Sequence, residues 1–267
     1  MATTEEPQGA GSVPDAEEGV PGAPRSKMSF LEHLDELRRR LFRAAIALVI
    51  AFAVCLYFSE QLLHWLVGPI EGVLPPGTHL AVVRPAEAFM NKMKAAFVGG
   101  IVLAIPVVLY QLWAFISPGL YRKETRWVGP IVFFGTALFC TGVAFCYKVA
   151  LPSAIGFLVD QSKGFTTVIT IDSAFSFSST LLLGMGAVFE LPIVIFALAR
   201  LDLITAKFLW KKFDIAIFVI FVLAAIITPT PDMITQTIFA LPMIGLYLIS
   251  IVVAYFARPK PVDGGTA

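Results

Sequence analysis

Six stretches of 15 to 25 residues, each nearly devoid of charge, recur along this chain of 267 residues: 41–58, 95–116, 128–147, 175–199, 213–227 and 238–256. A helix rises about 1.5 Å per residue, so roughly 20 apolar residues cross the ~30 Å hydrocarbon layer of a bilayer. No water is available there, and a lone segment satisfies its backbone N–H and C=O groups only as a helix. Composition points the same way. Hydrophobic residues make up 57% of the chain and charged residues 15%, whereas a soluble domain carries about 25% charged residues. Mean hydropathy is +0.81. The expected fold is an all-α integral membrane protein with six transmembrane helices in one domain, residues 28–257. The fifth stretch reaches only about 22 Å, so either the bilayer thins there or the helix ends short.

Residues 1–27 hold five acids (Glu5, Glu6, Asp15, Glu17 and Glu18), four prolines and little to bury, and read as a disordered acidic tail. They lack an apolar core behind a basic start, so they are not expected to be a cleaved signal peptide. The first membrane helix is then itself the anchor. Residues 258–267 form a short C-terminal tail. Fifteen Lys and Arg fall in the N-terminal stretch, between the second and third runs, between the fourth and fifth, and in that tail; five fall in the alternate segments. The positive-inside rule places the first set, with both termini, in the cytoplasm. Segments 59–94 and 148–172 on the opposite side are expected to form a short cap, with Pro69 in a structural role.

The formal net charge of +1 gives no basic field for nucleic acid, and no such partner is expected. The three cysteines lie in apolar runs and read as core thiols. There is no GxxxxGK[ST] phosphate loop, no GxSxG turn and no HExxH or Cys/His cluster. No cofactor, metal or enzymatic activity is expected.

Glu190 is the only ionisable residue in 175–199. A charged carboxylate in lipid costs at least about 2.5–3.5 kcal/mol, and Glu is too short to reach the interface from that depth. It must face protein or a wet cavity, or carry a proton. Pro192 cannot donate to the carbonyl of Val188, which would leave a free acceptor on the same turn. Together they describe an intramembrane polar notch; a protonated Glu190 bonded to a neighbouring helix for packing is the alternative. Pro106 and Pro242 interrupt the second and sixth runs, and Gly184 and Gly186 suit close helix packing. Leu31, Leu34, Leu37 and Leu41 form one stripe of a basic amphipathic stretch, 30–43, expected as an interfacial helix.

Five motifs carry a resemblance. They are Phe30-Leu-Glu-His-Leu-Asp-Glu-Leu-Arg-Arg-Arg-Leu41, then Pro106-Val-Val-Leu-Tyr-Gln-Leu-Trp-Ala-Phe-Ile-Ser-Pro-Gly-Leu120 with Tyr121 and Glu124, then Phe189-Glu-Leu-Pro192, Thr228-Pro-Thr-Pro-Asp232, and Gln236 with Pro242. In this order over about 28–256, the chain resembles the TatC family, the multispanning receptor subunit of the twin-arginine protein translocase. The acidic N-terminal tail and the short C-terminal one depart from it. The resemblance implies a curved, glove-like bundle in the bacterial inner membrane, driven by the proton-motive force. It implies binding of folded precursors through their twin-arginine signal peptides, small single-span partners of the TatA and TatB families, and self-association within a receptor complex. Glu124 and Glu36 would face the paired arginines, with Phe115 and Leu120 nearby and Arg38 at a basic position of the first motif. Glu190 would lie on the concave face; Pro69, Pro106, Pro192 and Asp232 would be structural.

The chemistry suits the assignment. A guanidinium fork pairs with a carboxylate through two charge-assisted hydrogen bonds, a geometry Lys cannot reproduce. Two rivals remain: an ion-coupled solute transporter using Glu190, and an intramembrane enzyme, for which the serines at 173, 176, 178 and 179 have no intramembrane His.

Overall fold

A computed structural model describes residues 30–74, 80–116, 128–163, 168–228 and 232–257. The expected tails therefore lie outside the described residues. The described residues are helical throughout, apart from short connections and one isolated bridge between Ala81 and Thr170. Five helical stretches are long and apolar enough to cross a membrane, and Phe213–Ile227 is a shorter sixth.

Helix α1, Phe30–Tyr57, is one unbroken helix of 28 residues, about 42 Å long. The stretch 30–43 is thus not a separate interfacial helix but the first half of α1. No Gly or Pro interrupts it, and the i,i+4 pairs Asp35–Arg39 and Glu36–Arg40, both at 2.9 Å, support it. Helix α2, Ser59–Glu71, buries Leu63, Leu66, Val67 and Ile70, with Pro69 in its last turn. Helix α3, Pro85–Ile116, runs on through Pro106.

Helix α4, Val128–Phe145, continues through a π-helical segment, Cys146–Ala150, into α5, Leu151–Gln161. The helix of the third run therefore continues well past 147, and Lys148 is helical instead of part of a loop. Pro152 cannot bond to the Lys148 carbonyl, and the wider π turn accommodates it. The fourth apolar run divides into α6, Ile171–Phe189, and α7, Leu191–Arg200, with Glu190 between them. Helix α8, Ala206–Lys211, leads into α9, Phe213–Ile227, and α10, Met233–Ala257, closes the domain.

α1 lies along α3, α4 packs on α3 and α6, and α10 packs on α7 and α9. Glycines allow the closest approaches. A Cβ at Gly142 would lie 2.7 Å from the Phe189 ring and 2.8 Å from the Met185 carbonyl, and one at Gly100 would lie 3.0 Å from the Phe52 backbone. Lipid tails are as apolar as the side chains, so such close contact, not water exclusion, holds helices together.

The cap end is tied by polar links. Ala81 N–H donates to Ile169 O at 2.9 Å, and Ile171 N–H to Ala81 O at 3.0 Å. Lys94 pairs with Asp172 at 2.8 Å and Lys92 with Glu60 at 3.3 Å. Elsewhere α10 is fastened by the Tyr247 hydroxyl donating to Leu209 O (2.9 Å) and by Gln236 Nε2 donating to Phe221 O (2.8 Å).

Candidate functional site

The first site joins the N-terminal part of α1 to the C-terminal end of α3. The His33 imidazole stacks on the Phe115 ring, centroids 4.4 Å apart and planes 19° from parallel. His33, Glu36 and Arg40 sit at i, i+3 and i+7, one half-buried stripe of α1. Glu36 Oε1 accepts from Arg40 Nε at 2.9 Å, while its Oε2 is buried with no hydrogen-bond partner. One carboxylate oxygen is thus committed to an internal cation and the other keeps unused acceptor capacity. A polar pocket of 480 Å³ borders this stripe, lined by Glu32, Asp35, Glu36, Arg39, Arg40 and Arg43.

Arg38 points elsewhere: its guanidinium lies 5.9 Å over the Phe42 ring on the exposed side of α1. Phe115 is the penultimate residue of α3, directly before segment 117–127. Leu120 and Glu124 fall in that segment, outside the described residues. The structure therefore brings Phe115 and Glu36 into one region and leaves Arg38 on another face. His33 was not singled out from sequence; its spacing of three from Glu36 was the available signal, but its partner on α3 was not.

This stack predicts a specific result. His33→Ala should loosen the junction of α1 with α3, while His33→Phe should keep the stack, which is worth about 0.5–1.5 kcal/mol. Disulfide trapping between cysteines introduced on the two helices would measure the junction. Equal trapping in both variants would show that the ring contact does not set the spacing.

The second site is inside the bundle. Glu190 N–H bonds to Ala187 O at 3.1 Å, and Glu190 O accepts from the N–H groups of Ile193 and Val194, each at 3.0 Å, which starts α7. Pro192 stands in the first turn of α7, where its missing N–H costs little. Cap N–H groups reach the carbonyls of both Ala187 and Val188. The Val188 carbonyl is therefore not the free acceptor expected from Pro192, because the chain tightens into a new turn at Glu190.

The Glu190 carboxylate lies against Gly135 of α4. A Cβ there would be 3.0 Å from Glu190 Oε2 and 3.0 Å from Leu109 Cδ1. Glu190 Oε1 is buried without a hydrogen-bond partner, as is Thr136 Oγ1 at the next position of α4. Among the proline and Asp232 positions, Pro106 lies within α3 and Pro69 within α2. Asp232 Oδ1 accepts the Thr235 N–H at 2.6 Å, an N-cap for α10.

Fold and sites together define a multi-span α-helical membrane protein with a mixed-charge face at one end and a carboxylate in its interior. Residues 32–242 match the family described as Sec-independent protein translocase protein (TatC). The chain is 42% identical over 236 residues to the Sec-independent protein translocase protein TatC of Koribacter versatilis, covering 87% of each. It is 38% identical to that of Campylobacter jejuni, covering 86% of this chain and 95% of the relative. It also superposes on a crystal structure of the twin arginine translocase receptor TatC with TM-score 0.75 and 35% identity, over 85% of this chain and 99% of that one. The chain belongs to the TatC family of Sec-independent protein translocases. The solute-transporter reading of Glu190 is not favoured.

Proposed function

We propose that this protein is the signal-receptor subunit of a twin-arginine translocase in the bacterial inner membrane. It binds the signal peptides of folded precursors at its cytoplasmic face and, with single-span subunits of the TatA and TatB families, promotes export driven by the proton-motive force. Its role is recognition and assembly, without a covalent step, and copies associate within the receptor complex. The observation that carries the reading is the His33–Phe115 stack. It holds Glu36 of α1 beside the end of α3, from which the segment with Leu120 and Glu124 departs. Acids in an otherwise basic face are what a pair of guanidinium groups requires.

Crosslinking of the full chain to a twin-arginine signal peptide tests this, with a twin-lysine peptide as control. Adducts at 117–127 and at α1 with the arginine peptide alone are expected; equal crosslinking of both would overturn the reading.

Both termini are proposed to be cytoplasmic, on the fifteen-to-five division of Lys and Arg. Reporter fusions after Gly77 and Lys163 should report the outside, and those after Lys123, Lys207 and Lys260 the inside. An external C-terminus would refute that topology.

A further inference from the structure

Two ion pairs border the polar pocket of α1, and they differ in burial. The side chains of Arg39 and Asp35 are 71% and 56% exposed, whereas those of Arg40 and Glu36 are each 19% exposed. Water screens the first pair, so it contributes little to a choice between ligands. The second pair is shielded, and its geometry is unusual for its chemistry.

Arg40 does not use the fork it carries. Its Nε, at 2.9 Å, and one terminal nitrogen both donate to the same oxygen, Glu36 Oε1. Oε2 is buried and has no hydrogen-bond partner among the described residues. A guanidinium matches a carboxylate best through two parallel N–H···O bonds, one to each oxygen. The resident pair is therefore incomplete: one carboxylate oxygen has lost water without gaining a donor, which costs free energy. The pocket wall also balances three carboxylates against three guanidinium groups. With no formal charge, it exerts no net pull on a cationic peptide. What is left to discriminate one cation from another is the exchange of partners at Glu36.

We propose that Arg40 is a specificity-determining residue: its guanidinium occupies Glu36 in the empty receptor as a placeholder, and a signal-peptide guanidinium displaces it. This inference rests on the receptor reading above. The exchange is neutral in charge. An incoming arginine that engages both oxygens replaces one that engages a single oxygen, so it gains a charge-assisted hydrogen bond. The freed Arg40, on its long stem, turns to water in the pocket. An incoming lysine offers a compact, strongly hydrated point charge in place of a planar fork, so Arg40 keeps its place. Glu36 alone would attract either cation. A built-in competitor makes it yield only to a better guanidinium, which is selection by excluding the wrong ligand.

The test uses the full chain in liposomes, titrated with two labelled signal peptides that differ only in carrying paired arginines or paired lysines. The quantity read is the ratio of the two Kd values. Arg40→Gln leaves Glu36 open and should tighten binding of the lysine peptide more than that of the arginine peptide, lowering the preference by on the order of tenfold. Arg40→Lys keeps the charge and the helix propensity, but an incoming lysine then replaces a lysine. The preference should fall here too, though less. In Glu36→Ala there is no carboxylate to guard, so adding Arg40→Lys should leave the ratio where Glu36→Ala alone puts it.

An unchanged preference in both Arg40 variants would overturn the proposal. Parallel weakening of both peptides would do so as well, by showing that Arg40 only supports the helix. An effect of Arg40→Lys that persists without Glu36 would place its action elsewhere and overturn it too. In each of these cases the unaltered chain still prefers the arginine peptide, and the receptor reading stands. Equal binding of both peptides by the unaltered chain would instead remove that reading, and this inference with it. If Arg40→Gln fails to insert, Arg40→Lys decides.

Discussion

Glu124→Ala is expected to abolish twin-arginine peptide binding while leaving the protein inserted in the membrane. A bidentate carboxylate–guanidinium pair combines charge and geometry, and removing one partner from a desolvated pair costs about 2–5 kcal/mol. That corresponds to a loss of affinity of about thirtyfold or more. An exposed pair would cost less than about 1 kcal/mol, so titration with a labelled signal peptide also reports whether the site excludes water. Glu36→Ala should weaken binding less, since Arg40 already occupies one of its oxygens at 2.9 Å. Its loss would also release the Arg40 charge, which repels the incoming arginines. Binding of the peptide to Glu124→Ala at unaltered affinity would remove Glu124 from the recognition site.

Glu190→Leu is expected to lower export of a folded reporter by on the order of tenfold or more without affecting peptide binding. The carboxylate is too deep to meet arginines at the membrane surface, and its Oε1 is buried without a partner. A polar group held there can retain water or accept a polar side chain from a partner helix. Either role needs polarity more than charge, so Glu190→Gln should keep much of the activity and Glu190→Ala should lose more. Gly135→Val provides an independent test, because even a Cβ at that position would lie 3.0 Å from Glu190 Oε2 and would displace the carboxylate. It should impair export as Glu190→Leu does. Full export by Glu190→Leu would reduce Glu190 to a packing role, whereas lost peptide binding would move it into the recognition site.

Much of this was legible in the chain itself. The apolar runs identify the spans because lipid acts on each residue separately: a segment either has enough apolar length to cross or it does not. The brevity of 213–227 was readable for the same reason, and α9 is indeed the short helix. Glu190 stood out because a lone acid in an apolar run carries a large solvation cost wherever the rest of the chain lies. Five ordered motifs were enough to show the family resemblance.

What the tertiary structure decided depends on residues distant in sequence. Hydropathy placed a boundary near 41, yet α1 is continuous from Phe30 to Tyr57, because helix persistence follows from the absence of breakers and from local ion pairs rather than from polarity. The π-helical segment and the turn at Glu190 are responses of the backbone to Pro152 and Pro192 that hydropathy does not encode. The pairing of His33 with Phe115 and the seat of Glu190 on Gly135 each require two or more helices to meet at a given rotation. That rotation is set by close packing at a few small residues such as Gly100 and Gly142. In a membrane it cannot be read from which face is apolar, because nearly every face is.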